Sequence, residues 1–305
     1  MDNYFIVNRA SRSGKAADVW YKVEDYLKSQ GIEYQALFTT GANDATRWTR
    51  QITSQGRPVS LFVMGGDGTL NEALNGIEDF ENTLYTPLPA GSGNDFMRGL
   101  GISDGALDIV KRVLSQPEER RLDIGKVLYA GGSRLFGVSA GIGVDAYVCL
   151  QALDSGLKKF LNKFGLGSAT YGLLTVGDLF TMPFSSAKIT FDNGAKKDLK
   201  HCIFIAAMNC CAEGGGIKMV PKARPDSGYL SACLVGDVKR LECFFKLPFL
   251  VAGKHQGLRG FDFADFNTMT IELDKPLCLH TDGEHVGFYN QVTFECLPQV
   301  LRLRV

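Results

Sequence analysis

The chain has 305 residues, which is more than a single hydrophobic core usually needs, so we expect two domains. Its 33 acidic and 33 basic residues leave no net charge, which argues against the basic stripe that nucleic-acid binding requires. The longest apolar run, residues 241–253, is interrupted by Lys246 and Pro248, and the first eight residues lack a signal-peptide pattern, so we predict a cytoplasmic protein without a transmembrane segment.

The first part of the chain alternates between strand and helix patterns. A strand is predicted at residues 4–8 and a helix at residues 16–29, followed by a strand at residues 32–38 and a helix at residues 43–54. The alternation continues to residue 115. It predicts a three-layer α/β domain with a parallel sheet.

A glycine-rich turn follows the buried strand predicted at residues 59–63. Its glycines are Gly65, Gly66 and Gly68. They allow backbone amides to approach a ligand, and we expect Thr69 to cap a helix at residues 70–76, so that a helix start favours phosphate there. Asp67 lies within the turn, and a carboxylate beside a phosphate site implies a cation such as Mg²⁺. A simple glycine turn with a polar tip is the alternative interpretation.

A second turn with the same plan follows the strand predicted at residues 84–88. It again places glycines, a hydroxyl group and a carboxylate before a helix start. Its residues are Gly91, Ser92, Gly93, Asn94 and Asp95. Because the carboxyl ends of neighbouring parallel strands meet at one edge of a sheet, we expect both turns to line one ligand-binding crevice.

After a charged break at residues 117–121 the pattern changes to short strands separated by glycine turns. Such a series predicts an antiparallel β-sandwich. The strands are predicted at residues 122–129, 135–139, 186–191, 202–208, 229–235, 269–273, 276–280 and 292–296, with helices at residues 145–164 and 169–180. We therefore divide the chain into an α/β domain, residues 1–120, and a β-sandwich domain, residues 121–305, whose last strand could return to the first domain.

These motifs together resemble the diacylglycerol kinase catalytic domain of the bacterial soluble lipid kinases, which are related to sphingosine and ceramide kinases. The resemblance covers nearly the whole chain. It rests on the segments 8–15, 65–72, 89–96, 122–125, 139–146 and 281–284. Gly-Gly-Asp-Gly alone also occurs in NAD kinases and phosphofructokinases, and the resemblance implies that the first domain shares their fold.

The resemblance implies that the first domain binds ATP with Mg²⁺ through these turns. The implied nucleotide-binding residues are Asn8, Lys15, Thr39, Gly65, Gly66, Asp67, Gly68, Thr69, Asn71, Glu72, Gly91, Ser92, Gly93, Asn94 and Asp95. Glu284 is implied as the base that accepts the proton of a lipid hydroxyl group, with Asp67 as the second candidate. Lys15 could instead be a solvated lysine and Thr39 a strand-end cap, and Arg9 stands where the family usually has proline.

Glu284 follows the dipeptide Asp282-Gly283, which is a strong hairpin signal in its own right. Asp282 can therefore have a structural role. His280 and His285 flank this turn, and we predict packed or solvated rings without a role in the site.

The resemblance also implies a structural Mg²⁺ at residues 213–216 and 221–229, which relatives bind through one aspartate side chain and backbone carbonyl groups. The implied ligands are Arg224, Asp226, Ser227 and Tyr229, with Asp123 as a second acid. The usual Asp-Gly of the family is Ser227-Gly228 in this chain, and the carboxylate is displaced to Asp226. Retention and loss of the ion are both open, because Mg²⁺ demands strict geometry.

The acceptor implied by the resemblance is a lipid alcohol at a membrane surface, most simply diacylglycerol. Phosphatidylglycerol, a sphingoid base and a soluble acceptor such as NAD are alternatives, as is a catalytically silent sensor. A lipid needs an apolar slot, and its candidate residues are Phe160, Phe164, Leu166, Phe180, Phe184, Phe244, Phe245 and Phe249. The prediction is a peripheral membrane enzyme, alone or as a homodimer.

Overall fold

A computed structural model describes residues 1–116, 118–154 and 185–305 of the chain. The chain divides into two units, which consist of Met1–Ile124 with Pro298–Val305 and of Gly125–Leu297. The helix predicted at residues 169–180, the end of the helix predicted at residues 145–164, and five of the candidate slot residues lie outside the described residues.

The first unit is built on a parallel sheet with the strand order β2-β1-β3-β4. The strands are β1 (Asp2–Val7), β2 (Gln35–Phe38), β3 (Val59–Gly65) and β4 (Thr83–Pro89). The helices are α1 (Lys15–Ser29), α2 (Asp44–Thr53), α3 (Asp67–Leu74), α4 (Asp95–Gly99) and α5 (Ala106–Ser115). Every residue of β3 is buried, as expected for a strand that is covered on both faces.

Helices cover both faces of this sheet. On one face, Phe5 and Phe62 stack with 4.4 Å between ring centroids, and they belong to one core with residues of α1 and α5. On the other face, the hydroxyl group of Tyr85 donates to the carbonyl of Leu70 in α3 at 3.1 Å, and α2 packs against α3, β1 and β3. The first unit is therefore the predicted three-layer α/β structure.

The second unit consists mainly of antiparallel strands. They are β5 (Glu119–Tyr129), β6 (Gly132–Phe136), β7 (Ser139–Gly143), β8 (Ser185–Phe191), β9 (Lys196–Met208), β10 (Leu230–Gly236), β11 (Phe261–Phe266), β12 (Thr268–Thr281) and β13 (Glu284–Arg304). The first half of β5 and the end of β13 belong to the first unit. Two helices of this unit are α6 (Val144–Asp154) and α7 (Arg240–Val251). The long strands β9 and β12 each form hydrogen-bonded pairs with both β7 and β8, so they link these shorter strands together.

Several element predictions need correction. Helix α3 begins at Asp67, with Gly66 in an extended conformation before it, so Thr69 lies inside the helix and is not its cap. The strands predicted at residues 269–273 and 276–280 are the two halves of β12, whose pairing with β13 shifts register between Glu272 and Leu277. This shift explains why one strand has the sequence pattern of two. The sequence analysis did not predict α7 or β11.

The end of β13 belongs to the first unit. Leu303 pairs with Tyr85 of β4 in parallel orientation, and Nε of Arg302 lies 2.7 Å from a carboxylate oxygen of Glu119. The first unit thus draws its last sheet strand from the far end of the sequence.

Candidate functional site

Three loops of the first unit leave the sheet at one edge. Val7 of β1 pairs with Met64 of β3, and Gly65 of β3 pairs with Pro89 of β4, so the loops that follow β1, β3 and β4 start side by side. The chain proceeds from β1 to β2 on one side, and β3 lies on the other. The space between β1 and β3 is therefore a topological switch point, where open α/β sheets bind ligands.

Asn8 connects the loop after β1 to helix α3. Its Nδ2 donates to Oγ1 of Thr69 at 2.9 Å, and its Oδ1 accepts the N–H of Ala10 at 3.1 Å. Gly65 provides space for the threonine, because an added Cβ would lie 2.5 Å from Cβ of Thr69. These three predicted residues together fix the start of α3.

The two glycine-rich turns contact each other through bare backbone. A Cβ added at Gly91 would lie 2.5 Å from Cα of Gly66, and the N–H of Ala90 donates to the carbonyl of Gly65 at 2.9 Å. Asn94, which has a φ of 52°, closes the second turn by accepting the N–H of Gly91 at 3.1 Å. The turns therefore form one continuous backbone surface of the kind that can approach phosphate closely.

Asp67 and Asp95 lie beside the same glycine. A Cβ added at Gly93 would lie 2.9 Å from Oδ2 of Asp67 and 3.7 Å from Oδ2 of Asp95. Oδ1 of Asp67 accepts the N–H of Phe96 at 3.2 Å, and the partial positive charge at the start of α3 stabilises its carboxylate. Carboxylate oxygens gathered beside this backbone surface can orient Mg²⁺.

Arg98 is a residue of this cluster that the sequence analysis missed. Its guanidinium forms an ion pair with Asp95, and Nη2 donates to the carbonyl of Gly93 at 3.1 Å. The spacing of three residues between Asp95 and Arg98 on a helix was the available signal. Asp95 thus has its own counterion.

Two other predicted residues hold the helices of the first unit together. Oε2 of Glu72 accepts the N–H of Ala45 at 3.3 Å, and its carbonyl accepts the hydroxyl group of Thr46 at 2.8 Å, so Glu72 ties α3 to the start of α2. Asn71 is buried and accepts Nδ2 of Asn75 at 3.2 Å. Both contacts are structural.

The remaining predicted residues lie at the open side of the edge. Lys15 is exposed at the start of α1, after Gly14 with a φ of 90°, and Ser92 is exposed in the second turn. The N–H of Thr39 donates to the carbonyl of Val7 at 3.0 Å, which places Thr39 directly after β2. All of the predicted loop residues therefore lie at one edge of the sheet.

The loop that the resemblance implies as a structural magnesium site is closed by its own hydrogen bonds. Oγ of Ser227 lies 2.9 Å from the carbonyl oxygens of both Arg224 and Tyr229. Nε and Nη2 of Arg224 each donate to the carboxylate of Asp226 at 2.9 Å. Mg²⁺ requires nearly octahedral oxygen ligands at about 2.0–2.1 Å. A hydroxyl group and a guanidinium contact these oxygens, so the donor set of this loop does not fit magnesium.

Asp123, the implied second acid, is fully buried in the first unit. Its Oδ1 accepts the N–H of Gln299, a residue with a φ of 53°, at 2.8 Å. The contact fixes the turn before the last strand residues, which is a structural role.

In the second unit, Asp282 binds the backbone ahead of β7. Its carboxylate accepts the N–H groups of Gly137, Val138 and Ser139 at 2.8, 2.8 and 3.0 Å. Asp282 has a φ of 48° and Gly283 a φ of 82°, as in a tight hairpin turn. The contacts of Asp282 therefore agree with a structural role. Glu284 follows the turn as the first residue of β13.

His280 is a packed ring, as one of the two predicted alternatives states, and it also lies in a polar cluster that was not predicted. Its ring is buried, and Nε2 lies 3.3 Å from Oδ2 of Asp145. One donor atom each of Asp145, Glu213 and His280 lies within 4.8 Å of the others. A Cβ added at Gly141 would lie 2.0 Å from Oδ2 of Asp145, so this glycine makes room for the cluster. The Gly-Ile-Gly-Val-Asp segment was the signal that could have indicated it.

The electrostatics of this cluster are dominated by its two acids. Burial opposes the charged form of His280, but the hydrogen bond and negative charge of Asp145, with Glu213 and Asp282, raise its pKa above the ordinary value. The pKa of the Cys149 thiol is raised by burial first and then by Glu213 and Asp145, with Glu284 contributing more weakly.

The cluster could hold a divalent cation, since two carboxylates and an imidazole are suitable donors. Its polar atoms are, however, bonded to one another: Asp145 contacts His280, and the hydroxyl group of Ser139 contacts the carboxylate of Glu213. These contacts can also stabilise the cluster without an ion, and the cluster then supports the turn before Glu284.

Comparisons with known proteins agree with this architecture. Residues 2–127 match the family model described as diacylglycerol kinase catalytic domain, and residues 138–305 match the model described as YegS C-terminal NAD kinase beta sandwich-like domain. The chain belongs to the diacylglycerol kinase catalytic domain family, in the form that carries this C-terminal domain. Among the described residues, no helix has the length and hydropathy needed to cross a bilayer.

Individual relatives have related names. The protein named "Putative lipid kinase YtlR" of Bacillus subtilis (strain 168) is 27% identical over 292 residues, which is 93% of each chain. The diacylglycerol kinase of Staphylococcus carnosus (strain TM300) is 28% identical, over 86% of this chain and 81% of that protein. The crystal structure of a diacylglycerol kinase from Bacillus anthracis str. Sterne has a TM-score of 0.73 at 21% identity and covers 99% of this chain and 96% of that one. That likeness supports the fold.

Proposed function

We propose that the protein transfers the γ-phosphoryl group of Mg-ATP to the hydroxyl group of a lipid alcohol, and that diacylglycerol is converted to phosphatidic acid. The observation that carries the proposal is the gathering of Asp67 and Asp95 around Gly93, beside the paired glycine-rich turns at the switch point. Two curated relatives with lipid kinase names support the acceptor class.

Phosphoryl transfer depends on positioning and charge stabilisation. In the proposed mechanism the backbone amides of the two turns bind the phosphate groups, and Asp67 orients the Mg²⁺ that arrives with ATP. Asp95 is paired with Arg98 and holds the second turn. Lys15, exposed at the same edge, contributes positive charge toward the nucleotide.

Glu284 is the proposed base, which accepts the proton of the lipid hydroxyl group during the attack on the γ-phosphorus. The bond between that phosphorus and the bridging oxygen of ADP breaks as the new phosphate ester forms. General bases contribute about 10²–10⁴ in rate. We place the reaction at the cytoplasmic surface of a membrane, where ATP and the lipid meet.

The test is the separation of ³²P-labelled products after incubation with Mg-ATP and diacylglycerol, phosphatidylglycerol, a sphingoid base or NAD. Asp67→Asn keeps an acceptor for the N–H of Phe96, so a loss of turnover reports chemistry and not folding. Glu284→Gln is expected to lower kcat by about 10²–10⁴. Glu33→Gln, at an exposed acid of the first unit, is the matched control. Label in NAD and in no lipid would refute the acceptor assignment, and full activity of Glu284→Gln would remove it as the base.

A further inference from the structure

Helix α7 carries large apolar side chains on its outer face. Leu241, Phe245 and Phe249 follow one another at four-residue spacing, and their exposed fractions are 59%, 65% and 48%. Four of the eight large hydrophobic side chains that the described part of the chain exposes lie on this one helix, with Val251 as the fourth. Phe245 and Phe249, two of the candidate slot residues, are therefore exposed and not part of a hydrophobic core.

The inner face of α7 is firmly packed. Cys243 and Leu250 are buried, and Phe244 and Leu247 pack against the hydrophobic core of the second unit. Nζ of Lys246 contacts Glu242 at 2.6 Å and the carbonyl of Arg259 at 2.6 Å, which ties the helix to the segment that follows it. The outer stripe is thus presented on a fixed support.

Most of the charged residues of α7 and of the segment that follows it are basic. Residues 239–259 contain five basic residues and one acid, and that acid, Glu242, is paired with Lys246. Lys239, Lys254 and Arg259 are exposed. An apolar stripe with basic residues at its ends is complementary to the interface of an anionic bilayer, where the apolar face enters the headgroup boundary and the cations meet lipid phosphates.

We propose that α7 is the surface through which the protein docks on an anionic lipid bilayer, with Leu241, Phe245 and Phe249 inserted into the interface. The proposal rests on the proposed function, because an enzyme whose acceptor is a membrane lipid has to work at a bilayer surface. Basic side chains attract the protein to the surface, and the apolar stripe holds it there. Binding is therefore expected to weaken with salt and to depend on the two phenylalanines.

The deciding experiment is cosedimentation with vesicles of phosphatidylcholine, alone or mixed with an equal amount of phosphatidylglycerol, without ATP. The wild-type protein is expected to sediment with the anionic vesicles. The double variant Phe245→Ser/Phe249→Ser is expected to bind at least about 10-fold more weakly, because two apolar side chains no longer enter the interface. Lys239→Gln/Lys254→Gln is expected to lower binding and its salt dependence. Tyr21→Ser, at an exposed tyrosine of α1, is the matched control and is expected to bind like wild type.

The unfolding midpoint of each variant and its size in solution complete the test. Unchanged vesicle binding by the double phenylalanine variant overturns the proposal. A wild-type dimer that the same substitutions convert to a monomer also overturns it, since the stripe is then an interface between two copies. Because sedimentation requires no turnover, a protein that docks through α7 but phosphorylates no lipid refutes the proposed function and leaves the docking surface standing.

Discussion

Nε2 of His280 lies 3.3 Å from Oδ2 of Asp145, while Nδ1 of the same ring lies 3.3 Å from the backbone nitrogen of Gly283. The N–H of Gly283 can only donate, so Nδ1 is the acceptor in the neutral ring, whose proton then lies on Nε2, directed at Asp145. Protonation of the ring gives up the Gly283 contact in exchange for a charge-assisted contact with Asp145. His280 thus connects Asp145 to the turn that precedes Glu284.

Replacing His280 is expected to lower stability more at acidic than at alkaline pH. The pKa of His280 is higher in the folded than in the unfolded protein. The contact between its imidazolium and Asp145 therefore contributes fully to the free energy of unfolding below the unfolded pKa of about 6.5. This contribution is lost as the pH rises through the higher pKa of the folded state. Urea unfolding of wild type and His280→Phe should give a stability difference of about 1.5–3 kcal/mol at pH 6 that shrinks by pH 8.5. His201→Phe, at an exposed histidine, serves as the control for the loss of an imidazole ring. A difference that grows with pH would contradict this assignment.

The contact between the two glycine-rich turns leaves no space for a side chain at Gly91. Gly91→Ala places a Cβ 2.5 Å from Cα of Gly66, and neither backbone can move without opening the turns. We expect a loss of about 1–3 kcal/mol in the free energy of unfolding, together with weaker ATP binding. Gly41→Ala is the matched control, because an added Cβ there meets nothing within 4 Å. Equal stability of the two variants would show that the turns separate easily.

Asp282 is expected to matter more for stability than the exposed aspartate Asp262. Asp282→Ala removes the acceptor of three backbone N–H groups, which should cost about 3 kcal/mol or more in chemical unfolding. Asp262→Ala breaks only an exposed ion pair with Lys197, for which about 0–1 kcal/mol is expected. Similar effects of the two substitutions would argue against Asp282 as the anchor of its turn.

The loop at Ser227 is expected to be stable without magnesium. EDTA should leave the unfolding midpoint of the wild-type protein unchanged in the absence of nucleotide, while Ser227→Ala should lower stability by about 0.5–1.5 kcal/mol through the lost hydroxyl contacts. Ser227→Asp restores the usual Asp-Gly of the family and should make the midpoint respond to added Mg²⁺. A midpoint of the wild type that falls with EDTA would show that the loop holds an ion after all.

The sequence was most informative where local backbone chemistry decides the structure. Glycines after buried strands identified both turns of the first unit, and the alternation of strands and helices identified its layers. His280 was missed because its role depends on Asp145, 135 positions away. No local pattern encodes that distance. The exposure of Phe245 was not predicted for a related reason: an apolar residue on a helix is buried only where another surface covers it, and Phe245 of α7 is exposed.

Because Pro298–Val305 belong to the same unit as Met1–Ile124, all of Gly125–Leu297 is synthesised before the first unit has its full set of residues. During translation β4 must wait for Leu303, with its edge unpaired on that side, while the second unit emerges from the ribosome. Unpaired strand edges are prone to association with other chains. Nascent chains of this protein are therefore expected to need chaperone protection until the final segment arrives.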